Sequence, residues 1–167
     1  MPIKAICPAT EGDVAWIVDQ ENRPEFAAFI HRWDREDHER NLIDADKLYL
    51  IALDETQERL AFVILAGLSS KVRSIELVRM AVTRPGVGIG TPLLRAVIEM
   101  AFNKLGANRL WLDVFDDNVR ARRAYKAAGF FEEGTLREAA LKTDGRLGSL
   151  VIMSILAQEY RAREKCD

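Results

Sequence analysis

Cysteine is almost missing from this chain of 167 residues, with Cys7 near one end and Cys166 near the other. Two distant thiols offer neither a metal-ligand spacing nor a disulfide framework. Histidine is equally scarce. His31 and His38 lie seven positions apart and can share a helix face, but no cysteine or carboxylate pattern completes a zinc set around them. No apolar run approaches the ~20 residues that a membrane-spanning helix needs, and the first residues lack a basic-then-apolar leader pattern. The cytoplasm is therefore the expected location, with no membrane partner. A surplus of positive charge is missing as well: the net charge is −2, which argues against nucleic acid as a partner. There is no internal repeat and no low-complexity tract. What is present is an ordinary globular composition, 49% hydrophobic and 30% charged, in a length that suits one domain with a substantial core.

Periodicity predicts a mixed α/β chain. Residues 3–8 read as a first strand, and a helix begins at Thr10 with Val14, Ile17 and Val18 on one face. Asn22 and Pro24 start a short helix carrying Phe26, Phe29, Ile30 and Trp33. The charged stretch 34–42, with Arg35, Glu36, Asp37, His38, Glu39 and Arg40, reads as a helix with a solvated face. Residues 47–53 and 60–65 form a hairpin around 54–59, and 74–82 is the next strand. An amphipathic helix over 93–105 stops at Gly106. A buried-type strand at 109–115 leads to a helix capped near 116–118 and ended by Gly129. Two last strands, 130–133 and 150–156, flank a polar loop at 142–148.

The strand over 74–82 runs into Arg84-Pro85-Gly86-Val87-Gly88-Ile89-Gly90-Thr91-Pro92. Glycine at alternate positions bares the backbone, so the amides from Gly86 through Thr91 can approach a ligand closely. Thr91 is the expected helix cap, and Pro92 suits the first turn, where a missing N–H costs nothing. Bare amides at a helix N-terminus make an anion site, and phosphate is its usual guest. A dinucleotide fingerprint is excluded because Thr91 stands where its third glycine belongs, and Asp113 comes too late to serve as its acidic residue. A Walker A loop is excluded because no Gly-Lys-Ser/Thr follows.

Three passages together resemble the GNAT N-acetyltransferase family. The stretch 80–94 is similar to its cofactor motif. Asn118, Arg120-Ala121, Tyr125 and Gly129-Phe130 reproduce its second pattern in order and spacing. The run 133–139, Glu-Gly-Thr-Leu-Arg-Glu-Ala, is similar to the branch with ribosomal-protein N-terminal and polyamine acetyltransferases. One departure stands out. The family pattern Gln/Arg-x-x-Gly-x-Gly/Ala, set on Gly88 and Gly90, puts Pro85 at the leading position, with the basic Arg84 one place early. A cradle made of backbone donors tolerates this.

The resemblance implies a single GNAT-like domain: a mixed, mostly antiparallel sheet flanked by helices, with a central parallel β-α-β cofactor unit. It implies acetyl-CoA as co-substrate, no metal, and an amine acceptor attacking directly through a tetrahedral intermediate. The branch favours a protein N-terminal amine; a polyamine, a small antibiotic or metabolite amine, or a non-catalytic acetyl-CoA-binding module are the alternatives. A homodimer is a family-level expectation. Met80, Ala81 and Val82 would line the pantetheine arm, with the strand amide of Met80 meeting the oxyanion. Gly86, Val87, Gly88, Ile89, Gly90 and Thr91 would hold the pyrophosphate. Asn118 would bond the pantetheine region, or simply cap its helix. Tyr125 would protonate the leaving thiolate, and Glu76 would accept the proton of the attacking amine. In a two-residue repeat Glu76 shares a strand face with Val78, Met80 and Val82. Arg120, Arg122, Arg123 and Lys126 give the helix a basic surface, facing solvent or the CoA phosphates. Phe26, Phe29, Trp33 and the loop 141–148 would shape the acceptor side, or, for the aromatics, the core.

Overall fold

Strand β3, Arg59–Ala66, shows why a sheet forms here. Its alternate side chains serve two cores: Ala61, Val63 and Leu65 one, Phe62 and Ile64 the other. An apolar run without polar alternation suits a strand covered on both faces. The computed structural model describes residues 2–27, 29 and 32–164. Ile30, His31 and Cys166 lie outside the described residues.

In chain order, β1 is Ala5–Pro8 and a 3-10 turn, Glu11–Asp13, leads into α1, Val14–Glu21. Next come α2, Pro24–Ala27, α3, Arg35–Leu42, β2, Lys47–Leu53, β3, and β4, Ser74–Val82. Helix α4, Gly90–Glu99, continues through a π-helical turn, Met100–Lys104. The chain closes with β5, Arg109–Phe115, α5, Val119–Ala128, β6, Phe131–Leu141, β7, Leu147–Leu156, and α6, Ala157–Glu164. Among the described residues, seven strands join one sheet in the order β1-β2-β3-β4-β5-β7-β6. Neighbours are antiparallel except the central β4–β5 pair, which α4 bridges as the expected β-α-β unit. No helix among the described residues is long and apolar enough to cross a membrane.

One core gathers Leu93, Leu94, Val97 and Ile98 of α4 with Leu50, Ile75, Leu77, Leu110 and Met153 of the sheet. Ala121, Tyr125 and Ala128 of α5 pack at its margin. The other core joins Ile17 of α1 to Tyr49, Ile51, Phe62, Ile64 and Ala81. Phe26 and Trp33 pack against this second core, while Phe29 stays exposed.

Four expectations need correction. Helix α4 starts at Gly90 after Ile89, so Thr91 sits inside the first turn and is not the cap; the first helical bond already runs from Leu93 N–H to Ile89 O at 3.1 Å. Strands β6 and β7 are far longer than expected, and α6 was not foreseen. Helix α3 is not solvated all round, because His38 is fully buried. Lastly, β4 is not a regular two-residue repeat. Arg79 and Leu77 stand opposite the consecutive Ile64 and Leu65, so Val78 is an extra residue in a β-bulge. The bulge turns the strand over. Leu77 before it and Met80 and Val82 after it face the α4 core, while Val78 and Ala81 face the other. Glu76, the neighbour of Leu77, therefore lies on the face opposite Met80 and Val82.

Candidate active site

The parallel pair β4–β5 is joined over only three rungs, Ser74↔Arg109, Ile75↔Leu110 and Glu76↔Trp111. Both strands continue, β4 to Val82 and β5 to Phe115, without pairing further. The two strand ends thus open a wedge in the middle of the sheet. Thr83 N–H donates to Leu60 O at 2.8 Å, which fixes the phase of β4. Antiparallel strands aim backbone groups alternately to either side. Ala81 therefore points its amide to Phe62 of β3, and Met80 and Val82 point theirs into the wedge. Ala81 acts as the spacer between two open rungs. These rungs offer donors and acceptors to an extended guest such as an amide-bearing arm.

The glycine loop stands at the mouth of the wedge, directly after β4. Gly86 and Gly88 adopt φ of +89° and +83°, conformations that only glycine takes without strain. A Cβ built at Gly86, Gly88 or Gly90 meets no atom within 4 Å, so the space above the loop is clear. The amides of Gly90 and Thr91 lie in the first turn of α4, where helical N–H groups have no partner within the helix. These residues fit an anionic diphosphate held by backbone donors. Arg84, the basic residue one place early, leans away toward Glu58 at 3.6 Å in an exposed pair. A cavity of about 350 Å³ borders the loop, lined by Pro2, Ile3, Val87, Gly88, Ile89, Pro92 and Ala96.

On the far side of the wedge, Asn118 caps α5 by accepting from Ala121 N–H at 3.2 Å. Two turns on, Tyr125 sets its ring edge-on to Phe130, centroids 5.7 Å apart. Burial first, and the charge of Asp113 second, push its phenol up to about 12, so it carries its proton at neutral pH. Glu76 stands at the last paired rung. Burial and then Asp113 raise its carboxyl above the usual glutamate range, which makes it a stronger base. Asp113 is exposed at its tip, and the neighbouring strands desolvate it enough to raise its carboxyl. It was weighed in the sequence only as a dinucleotide acid, yet a carboxylate inside the apolar strand 110–115 was a visible signal.

The basic surface of α5 is partly committed. Arg122 and Lys126 pair with Glu132 at 2.7 and 3.2 Å, whereas Arg120 and Arg123 form no ion pair among the described residues. At the hairpin tip between β6 and β7, Lys142 reaches Asp117 and lies 5.1 Å from the Phe115 ring centroid, tying that loop to the end of β5.

A buried charged cluster backs the site. Arg79, the residue before Met80, donates through Nη1 to Glu21 Oε1 at 2.6 Å and lies 4.0 Å over the Trp33 ring. Trp33 N–H donates to Glu21 Oε2 at 3.2 Å, and His38 Nε2 lies 3.3 Å from the same oxygen. His38 Nδ1 meets the Tyr49 hydroxyl at 3.1 Å, and burial raises that phenol strongly. The cluster ties α1, the segment before α3, and α3 to β4 beside the open rung of Met80. Sequence reasoning missed it, because its members are scattered over 21–79.

Residues 15–130 match the acetyltransferase (GNAT) family. Over 65 residues the chain is 37% identical to an aminoglycoside N(6')-acetyltransferase type 1 of Klebsiella pneumoniae, covering 39% of this chain and 32% of that one. The chain thus spans about a third of the length of the curated relatives it matches there. It is 24% identical to a spermidine N(1)-acetyltransferase of Vibrio cholerae, over 92% of this chain and 93% of that one. In fold it is similar to the crystal structure of a Vibrio cholerae spermidine N-acetyltransferase in complex with CoA and spermine. That likeness has a TM-score of 0.84 at 21% identity, over 94% of this chain and 97% of the other.

Proposed function

The chain belongs to the acetyltransferase (GNAT) family, and from that membership and the wedge we propose that it moves the acetyl group of acetyl-CoA onto a primary amine of a small cationic molecule. In this reading residues 1–167 act as one catalytic domain. The observation that carries it is the three-rung β4–β5 pair that opens at Met80 and Val82, with a side-chain-free anion loop at its mouth. The aminoglycoside and spermidine acetyltransferases among the relatives support a small-molecule acceptor over the protein N-terminal amine expected from the 133–139 resemblance.

Acetyl-CoA supplies an acetyl group activated as a thioester. The amides of Gly86–Thr91 hold its diphosphate, and Met80 and Val82 align its arm along β4. Glu76 accepts the proton that the ammonium must lose before its lone pair can attack; free alkyl ammonium pKa values near ~10 make that step necessary. The N–H of Met80 meets the carbonyl oxygen as negative charge develops on it. The C–N bond forms, the C–S bond breaks with its electron pair on sulfur, and Tyr125 delivers its proton there. The nitrogen then sheds its second proton, which reloads Tyr125 through solvent, and Glu76 returns its own proton to solvent.

The test is thiol release from acetyl-CoA with a panel of amines: spermidine, an aminoglycoside, a free amino acid and a peptide with an open N-terminus. Release is expected with the polycationic small molecules. A peptide preferred over them would overturn the acceptor class, and no release with any amine would overturn the transfer.

A further inference from the structure

Glu21 is placed against ordinary preference. It is the last residue of α1, where the helix dipole disfavours an anion, and it is fully buried. Its partner Arg79 is a buried cation inside β4, with its guanidinium 4.0 Å from the Trp33 ring centroid. Apolar side chains of similar volume often hold elements together at least as well, because a buried ion pair recovers its desolvation cost poorly. Residues that break local preference in this way mark a position kept for something other than stability. The position of Arg79 in β4 supplies the reason.

Arg79 follows the bulged Val78, and both lean to the α1 side of the sheet: Val78 packs on that core and Arg79 reaches Glu21. Without the bulge, the register of Leu77↔Leu65 would run on, and every later residue of β4 would move by one position. Arg79 would then stand opposite Val63, whose side chain lies in the α4 core with Leu65, Leu77 and Leu93. Met80 would stand opposite Phe62, in the place that Ala81 holds now. The Met80 amide would turn to β3, and the Ala81 amide would open into the wedge. Met80, Ala81 and Val82 are apolar and suit either face. Arg79 does not, because it would carry its charge into an apolar core without a partner.

We propose that Glu21 and Arg79 are positioning residues that hold the bulge at Val78 and so keep the Met80 amide turned to the reacting carbonyl. The inference rests on the acetyl-transfer reading above, in which that amide meets the oxyanion. Arg79 excludes the unbulged register. Glu21, held by the Trp33 amide at 3.2 Å, stabilises the bulged one.

The experiment follows amide hydrogen exchange by NMR in the whole protein and in two variants. Glu21→Gln/Arg79→Met removes both charges at similar volume and leaves the Trp33 amide an oxygen to donate to. Arg79→Lys keeps a charge that the α4 core does not accept, while losing the planar stack on Trp33. In the wild type Ala81 should exchange slowly, and Met80 and Val82 fast. In the double variant Ala81 should exchange at least about tenfold faster relative to the amides of the β2–β3 pair, because a minority in the other register opens its bond locally. In Arg79→Lys, Ala81 should keep pace with the β2–β3 amides, even where the whole protein is less stable. With spermidine as acceptor, kcat should fall in the double variant while the KM of the amine holds, and Arg79→Lys should retain most of kcat.

A contact that served stability alone would speed Ala81 and the β2–β3 amides together in both variants and leave kcat per folded molecule intact. That result overturns the proposal, as does an Ala81 amide equally protected in the double variant. The expected exchange pattern in a protein that releases no thiol with any amine sinks the transfer reading and leaves the register assignment standing.

Discussion

Removing the Glu21 carboxylate should be among the most damaging single changes outside the apolar cores. The side chain is 1% exposed and faces Arg79, which is 7% exposed, at 2.6 Å. It also receives the Trp33 amide at 3.2 Å. Deleting one partner of a buried ion pair costs about 3–5 kcal/mol, because the remaining charge keeps its desolvation penalty. At ~2–4 °C per kcal/mol for a chain of this size, Glu21→Ala should lower Tm by roughly 6–20 °C. Urea unfolding should show the same loss as a shift in midpoint at constant slope. Arg35→Ala is the control. It breaks a surface pair with Glu39 at 2.6 Å, worth at most about 0.5 kcal/mol. A loss below about 1 kcal/mol for Glu21→Ala would refute the reasoning, since the buried cluster would then behave like a surface pair. The consequence reaches the wedge, because the same cluster fixes Arg79, the residue before Met80.

The other predictions concern chemistry. Tyr125→Phe should lower kcat by about 10²-fold or more, the usual worth of a placed proton donor, with acetyl-CoA affinity nearly unchanged; equal losses in both would remove the general-acid role. Glu76 must be deprotonated to act, so kcat/KM should rise with pH through its raised pKa, and Glu76→Gln should flatten that limb in a pH–rate profile. An unchanged profile would place the base elsewhere. Gly88→Ala should weaken acetyl-CoA binding in a calorimetric titration and cost about 1 kcal/mol or more of stability, because φ is +83° there. Unaltered affinity would mean that the loop does not hold the diphosphate.

Much of this architecture was readable from local patterns. The strand-loop-helix over 74–99 and the capped helix at 119–128 announced themselves through glycine, Asn118 and helical spacing, which act within a few residues. What stayed hidden depends on distant partners. Every residue around Val78 suits a strand, so nothing local betrays the bulge that puts Glu76 on the face opposite Met80 and Val82. The exposed strand β6 has no buried face to write an apolar alternation, so only its first residues read as a strand. His38 sits among five charged neighbours on α3, and its burial depends on Glu21 and Tyr49, which arrive from α1 and β2. Tyr125 and Asn118 were legible because a family pattern fixes their spacing.

The most direct test of the central claim is a thermal-shift titration of the purified protein with acetyl-CoA, with CoA and NADPH alongside. A ligand that binds only the folded state stabilises by about 2.7 kcal/mol at a hundredfold excess over Kd, which is roughly 5–11 °C for a chain of this length. The account predicts a rise of that order with acetyl-CoA and CoA and none with NADPH. A flat response to acetyl-CoA, or a rise with NADPH, would contradict it.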